Sequence, residues 1–98
     1  MLSVVPEVVQ ASGVAEAAIG ATTAAVAAGA SPALLGVLPM SADPDAIAFN
    51  EVLRACGAAY LGVVSEHAAQ RGAFSGAQGL SSAVYTAGEA TSAAALTL

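Results

Sequence analysis

A mainly apolar seven-residue period runs between Asp43 and Phe74 in two interleaved series. Phe49, Cys56, Val63 and Gln70 form one series, and Leu53, Tyr60, His67 and Phe74, four places on, form the other. That is the a/d spacing of a helix packed lengthwise on other helices. The pattern predicts one long amphipathic helix from about 43 to 72. Asp43 can accept a backbone N–H as its N-cap, and Pro44 at the first helical position loses no hydrogen bond the helix would have made. Asp45 and Glu51 place negative charge toward the positive end of the helix dipole.

Upstream, Val5 precedes a proline and is pushed toward extended angles, so the predicted first helix opens at Pro6 with Glu7 in its first turn. Val8, Val9, Ala15, Ala18, Ile19 and Val26 are spaced to share one face through an alanine-rich background. Pro32 has no N–H and crowds the preceding turn, which predicts that this helix ends or kinks near residue 30. A further short helical turn over about 33–38 follows. Its dense cluster of Leu34, Leu35, Val37 and Leu38 reads as a plug for the end of a bundle. The link from Pro39 to Asp43 is short, so the two helices are predicted to fold back as an antiparallel pair. Gly72, Gly76 and Gly79 predict a frayed or flexible segment after helix two. Residues 1–80 thus read as a helical hairpin and 81–98 as a C-terminal tail.

With 98 residues, two helices bury too little surface to be stable alone. The chain is 57% hydrophobic but only 4% aromatic, so most of that apolar content is alanine, which suits close helix approach better than a thick core. Cys56 is the only cysteine, which excludes an internal disulfide, and Cys56 with His67 are too few ligands for a structural zinc. The expected fold class is all-α: an antiparallel two-helix hairpin that forms half of a four-helix bundle with a partner.

The net charge is −5, with Arg54 and Arg71 the only Lys/Arg residues. That balance argues against nucleic acid and anionic membrane surfaces as partners. The N-terminus lacks the basic segment of a secretory signal peptide. Ala17 to Ala42 carries no charge and is long enough to span a bilayer. Its Gly, Thr and Ser content, Pro32 and Pro39, and the absence of flanking cations favour a helix packed on protein. A small membrane-inserted or membrane-active protein, bacteriocin-like or holin-like, is the alternative.

Chemistry is sparse. Cys56 and His67 lie on one predicted helix about 16 Å apart at 1.5 Å per residue, too far for a dyad. Both instead take seam positions, as a small apolar thiol and a histidine hydrogen-bonded inside a bundle. Glu66 and His67 are neighbours that point about 100° apart on a helix. Glu51 and Arg54 are spaced for an ordinary i, i+3 ion pair. No G-x-S-x-G, S-x-x-K or lysine-bearing phosphate loop is present, and the expectation is a non-enzymatic chain without cofactor or metal.

Two short features remain, Pro6-Glu7 near the start and Tyr85-Thr86-Ala87-Gly88-Glu89 near the end. Together with the alanine-rich first helix, Pro32, Val37-Leu38-Pro39, Ala42-Asp43 and the second helix, they stand in an order and spacing that resembles the PE family of mycobacteria. The resemblance spans essentially the whole chain. It implies pairing with a PPE-family protein in a four-helix bundle, and export to the cell surface or medium through type VII (ESX) secretion after folding in the cytoplasm. It further implies that Tyr85 and Glu89 form part of the export signal, and that a cytosolic chaperone grips the PPE partner. With the hairpin's seam assigned to that partner, the expected contact residues are Phe49, Leu53, Cys56, Tyr60, Val63, His67 and Phe74.

Overall fold

The computed structural model describes residues 3–97. Among the described residues there are two helices, α1 (Pro6–Leu35) and α2 (Pro44–Leu96), and no strand. The all-helical expectation and the hairpin character hold. The starts of both helices follow from local chemistry. Val5 O accepts from Val8 N at 3.0 Å and Val9 N at 3.3 Å, so Pro6 sits where a missing N–H costs nothing. Asp43 caps α2: its Oδ1 accepts from Ala46 N at 2.9 Å, and its carbonyl accepts from Ile47 N at 3.1 Å.

The far ends differ from the sequence expectation. α1 runs through Pro32 to Leu35 instead of ending near residue 30. Pro32 falls in the last turn, so the one donor it lacks leaves the rest of the helix intact. Gly36 N donates to Pro32 O at 2.8 Å and closes that turn. A Cβ at Gly36 would stand 2.5 Å from the same oxygen, so only glycine fits there. The helical turn expected over 33–38 is helix as far as Leu35. α2 passes Gly72, Gly76 and Gly79 and continues to Leu96, where a break had been predicted beyond about residue 72. Glycine costs a helix only about 1 kcal/mol against alanine, and the segment beyond is rich in alanine, the best helix former. Thr86 Oγ1 and Thr91 Oγ1 bond to the carbonyls of Ser82 and Ala87 one turn back, at 2.9 and 3.0 Å, which satisfies both hydroxyls within the helix.

The contacts divide into two compact units. One joins α1 up to Gly20 with α2 from Gln70 onward. Here the helices meet through small and polar groups. Ser82 Oγ donates to Pro6 O at 2.8 Å, Gln78 Nε2 to Ser12 Oγ at 2.8 Å, and Ser75 Oγ to Gly13 O at 2.7 Å. Arg71 pairs with Glu16 at 3.3 Å and lays its stem over Gly20. Gly13 is buried because α2 approaches its backbone directly: a Cβ there would stand 3.2 Å from Ser75 O.

The other unit, Ala21–Ala69, meets mainly through apolar groups. Ala27, Ala30, Leu34 and Val37 are half-buried, as are Leu61, Val64 and Ala68, while Asn50 and Gly57 are buried. Arg54 Nε donates to Leu35 O at 2.8 Å and serves a carbonyl left over at the end of α1. The sequence pairs Arg54 with Glu51; in the structure its Nε goes to the other helix. Among the described residues no hydrophobic side chain is buried in either unit.

Candidate partner-binding face

Residues in contact between the helices recur at alternating steps of three and four. In the second unit they include Asn50, Gly57, Leu61, Val64 and Ala68, and in the first Arg71, Ser75, Gln78 and Ser82. The residues expected to form the partner seam sit one position earlier. Phe49 precedes Asn50, Cys56 precedes Gly57, Tyr60 precedes Leu61, Val63 precedes Val64, and His67 precedes Ala68. Phe74 likewise precedes Ser75. One residue is about 100° of helix rotation, so these side chains point sideways from the intrachain contact.

All of them are exposed, Phe49 at 61%, Tyr60 at 57%, Val63 at 67% and Phe74 at 54%. Cys56 and His67, the other two seam positions read from the sequence, are exposed as well. Leu53, at 40%, is less open than Phe49, Tyr60, Val63 and Phe74. α1 repeats the pattern. Val26 precedes half-buried Ala27 in the second unit, and Val8 and Ile19 precede half-buried Val9 and Gly20 in the first; all three are exposed.

Gly57, Asn50, Ser75, Gln78 and Ser82, which lie on the contact line of α2, are small or polar residues off the large apolar pattern. Their signal was available as the same sevenfold spacing shifted by one. Two buried oxygens, Asn50 Oδ1 and Gln78 Oε1, have no hydrogen-bond partner among the described residues. A buried acceptor left so costs about 1–3 kcal/mol.

At the end of the second unit, Val37, Leu38, Met40, Phe49, Asn50 and Leu53 surround a pocket of about 120 Å³. Leu38 and Met40 at its mouth are nearly fully exposed. The plug expected from Leu34, Leu35, Val37 and Leu38 is split: Leu34 packs on Gly57, whereas Leu38 stands out in solvent. Beside it the Asp43 carboxyl is held below its ordinary value of 3.8, first by the Ser41 hydroxyl and then by the Ala46 N–H.

Pro6 carries the carbonyl that Ser82 grips, and Glu7 is exposed in the first turn of α1. Tyr85 and Glu89 lie four residues apart on unbroken helix, both exposed, so they share one face of α2. The frayed approach expected before them is helical. No group of three or more His, Cys, Asp or Glu side chains suited to a metal occurs among the described residues. Each helix contains an 18-residue stretch long and apolar enough to cross a bilayer, with mean hydropathies of 1.5 in α1 and 1.3 in α2. Compared with protein-family models, with curated proteins and with solved structures, the chain matches none of them.

Proposed function

We propose that the chain is a non-enzymatic subunit of a secreted heterodimer. In this reading it is an antiparallel hairpin that makes half of a four-helix bundle with a PPE-family protein. It leaves the cell through type VII secretion with Tyr85 and Glu89 as part of the signal. The observation that carries the proposal is the exposed row of Phe49, Tyr60, Val63 and Phe74, each one step from an intrachain contact residue. In helices that run in opposite directions, positions one step before the contact line fall on the same side of the pair. Val26 then joins Phe49, Tyr60 and Val63 in one unit, and Val8 and Ile19 join Phe74 in the other. The order of contacts supports this orientation: Pro6, Ser12, Gly13 and Glu16 meet Ser82, Gln78, Ser75 and Arg71, descending α2 as α1 ascends.

A face of that kind with no buried core behind it is a half-built interior. A partner covering it would bury an area in the obligate range, roughly 2,000 Å² or more. Co-expression with a candidate PPE protein tests the pairing. The expected result is a stable one-to-one complex that Tyr60→Asp with Val63→Asp abolishes while helicity is retained. A monomer that melts sharply by itself, or a complex indifferent to those changes, would overturn it.

The two apolar helices also favour a second reading, a membrane-inserted protein. Carbonate washing separates the two, because an inserted protein stays with the bilayer and a pairing subunit is released.

A further inference from the structure

We infer that α2 beyond Ser82 docks a helix of a partner protein, one that lies end to end with α1 and sets a Lys or Arg against Glu89; this rests on the reading of Tyr85 and Glu89 as an export signal and names the chemistry that would recognise them. In the unit that joins α1 up to Gly20 with α2 from Gln70, α2 meets α1 through Arg71, Ser75, Gln78 and Ser82, at alternating steps of four and three. The same steps continue to Tyr85, Glu89, Ser92 and Leu96. Because α2 is unbroken to Leu96, these four stand on the stripe of the helix that carries the contact residues.

Cover stops where the stripe goes on. Arg71, Ser75 and Gln78 are half-buried and Ser82 is buried, whereas Tyr85, Glu89, Ser92 and Leu96 are exposed. Length is the cause. Ser82 Oγ donates to the carbonyl of Pro6, where α1 begins, and α2 extends about 21 Å past that point at 1.5 Å per residue. An incoming helix of about four turns would continue the existing contact along the bare stripe.

Charge selects the occupant. In the covered stretch the charged residue of the stripe, Arg71, meets the opposite charge of Glu16 on the facing helix at 3.3 Å. Glu89 is the only charged side chain after Arg71 in the sequence, and it has no ion pair among the described residues. Nearby, Thr86 and Thr91 direct their hydroxyls to carbonyls of their own helix. An unpaired carboxylate on the docking stripe favours Lys or Arg on the incoming helix. The Tyr85 ring, one turn from Glu89, favours an apolar side chain one turn from that cation.

The test titrates the full chain with two stapled, alanine-based helical peptides, one with Lys four residues before Leu and the other with Glu in place of that Lys, followed by NMR at the backbone amides of residues 85–96. The Lys peptide should give saturable shifts there and bind at least about fivefold more tightly than the Glu peptide at low salt, a preference that high salt removes. Glu89→Gln should abolish the preference, whereas Glu51→Gln, the same change of charge elsewhere on α2, should leave it. Ser92→Trp, on the stripe, should block the Lys peptide. Ala94→Trp, about 200° further round the helix, should not, with helicity by circular dichroism unchanged in both. Equal binding of the two peptides, no saturable shift, or equal effects of the two Trp variants would each overturn the proposal. If the peptides are discriminated while Tyr85→Ala leaves secretion unchanged, the export reading alone is refuted. If secretion requires Tyr85 while the peptides are not discriminated, the docking helix alone is.

Discussion

Gly57 lies so close to the backbone of Leu34 that a Cβ added to it would stand 2.7 Å from the Leu34 carbonyl oxygen and 3.2 Å from its Cβ. Neither neighbour is the loose end of a side chain, so any residue larger than glycine forces α1 and α2 apart at this point. Gly57→Ala should destabilise the hairpin by about 1–3 kcal/mol, the usual size of an overpacking effect. Gly62, on the same helix, has nothing within 4 Å of its Cβ position. Gly62→Ala should stabilise by up to about 1 kcal/mol through helix propensity alone. Opposite signs for the two substitutions in urea unfolding of the circular dichroism signal are the expected outcome, and equal effects would rule out the close approach.

That contact also explains how much of the fold could be read in advance. The helix starts were legible because Pro6, Asp43 and Pro44 act locally, through hydrogen bonds within a turn. The helix ends were not, because Pro32 and the three glycines of 72–79 are breakers whose cost of a few kcal/mol at most is offset by the alanine-rich flanks and by contacts such as Arg54 to Leu35. The sevenfold period was visible, yet the large residues that reveal it do not hold the hairpin together. Where α1 and α2 approach as closely as at Gly57 and Leu34, there is no room between them for an aromatic ring. Phe49, Tyr60 and Phe74 are therefore displaced to the next face.

Arg54 gives a second test. Its Nε reaches Leu35 O, so Arg54→Ala should cost about 0.5–1.5 kcal/mol and loosen the last turn of α1, seen as faster amide exchange there. Glu51→Ala should change stability by less than about 0.5 kcal/mol, because Arg54 is turned toward the other helix. If the two variants matched, the i, i+3 pair read from the sequence would be the operative interaction.

The start of α2 should respond to acid. Asp43 is ionised in the folded state, and its pKa is depressed by the Ser41 hydroxyl and the Ala46 N–H. A group with a depressed folded pKa contributes stability that is fully present above the unfolded value, here 3.8, and is lost as pH falls through the folded one. Amide protection at Ala46 should thus hold from neutral pH down to about pH 4 and decline below it. Asp43→Asn keeps an N-cap acceptor and removes the titration, so its profile should be flat in that window. An unchanged decline in Asp43→Asn would assign the acid response to another carboxylate.

The last prediction concerns Tyr85 and Glu89, whose proposed role in export depends on how they are displayed. Both are exposed on helix that runs unbroken to Leu96, so they stand one turn apart on a shared face. Inserting one alanine after Ala87 keeps both side chains and the helix, but rotates Glu89 by about 100° and moves it about 1.5 Å along the axis. If a receptor reads the two groups together, secretion into the medium should fall as far in the insertion variant as in Tyr85→Ala, with partner binding intact in both. Were the segment read as an extended strand or a loose tail, the insertion would be tolerated far better than loss of the ring. Comparing the two variants therefore tests the helical display separately from the need for tyrosine.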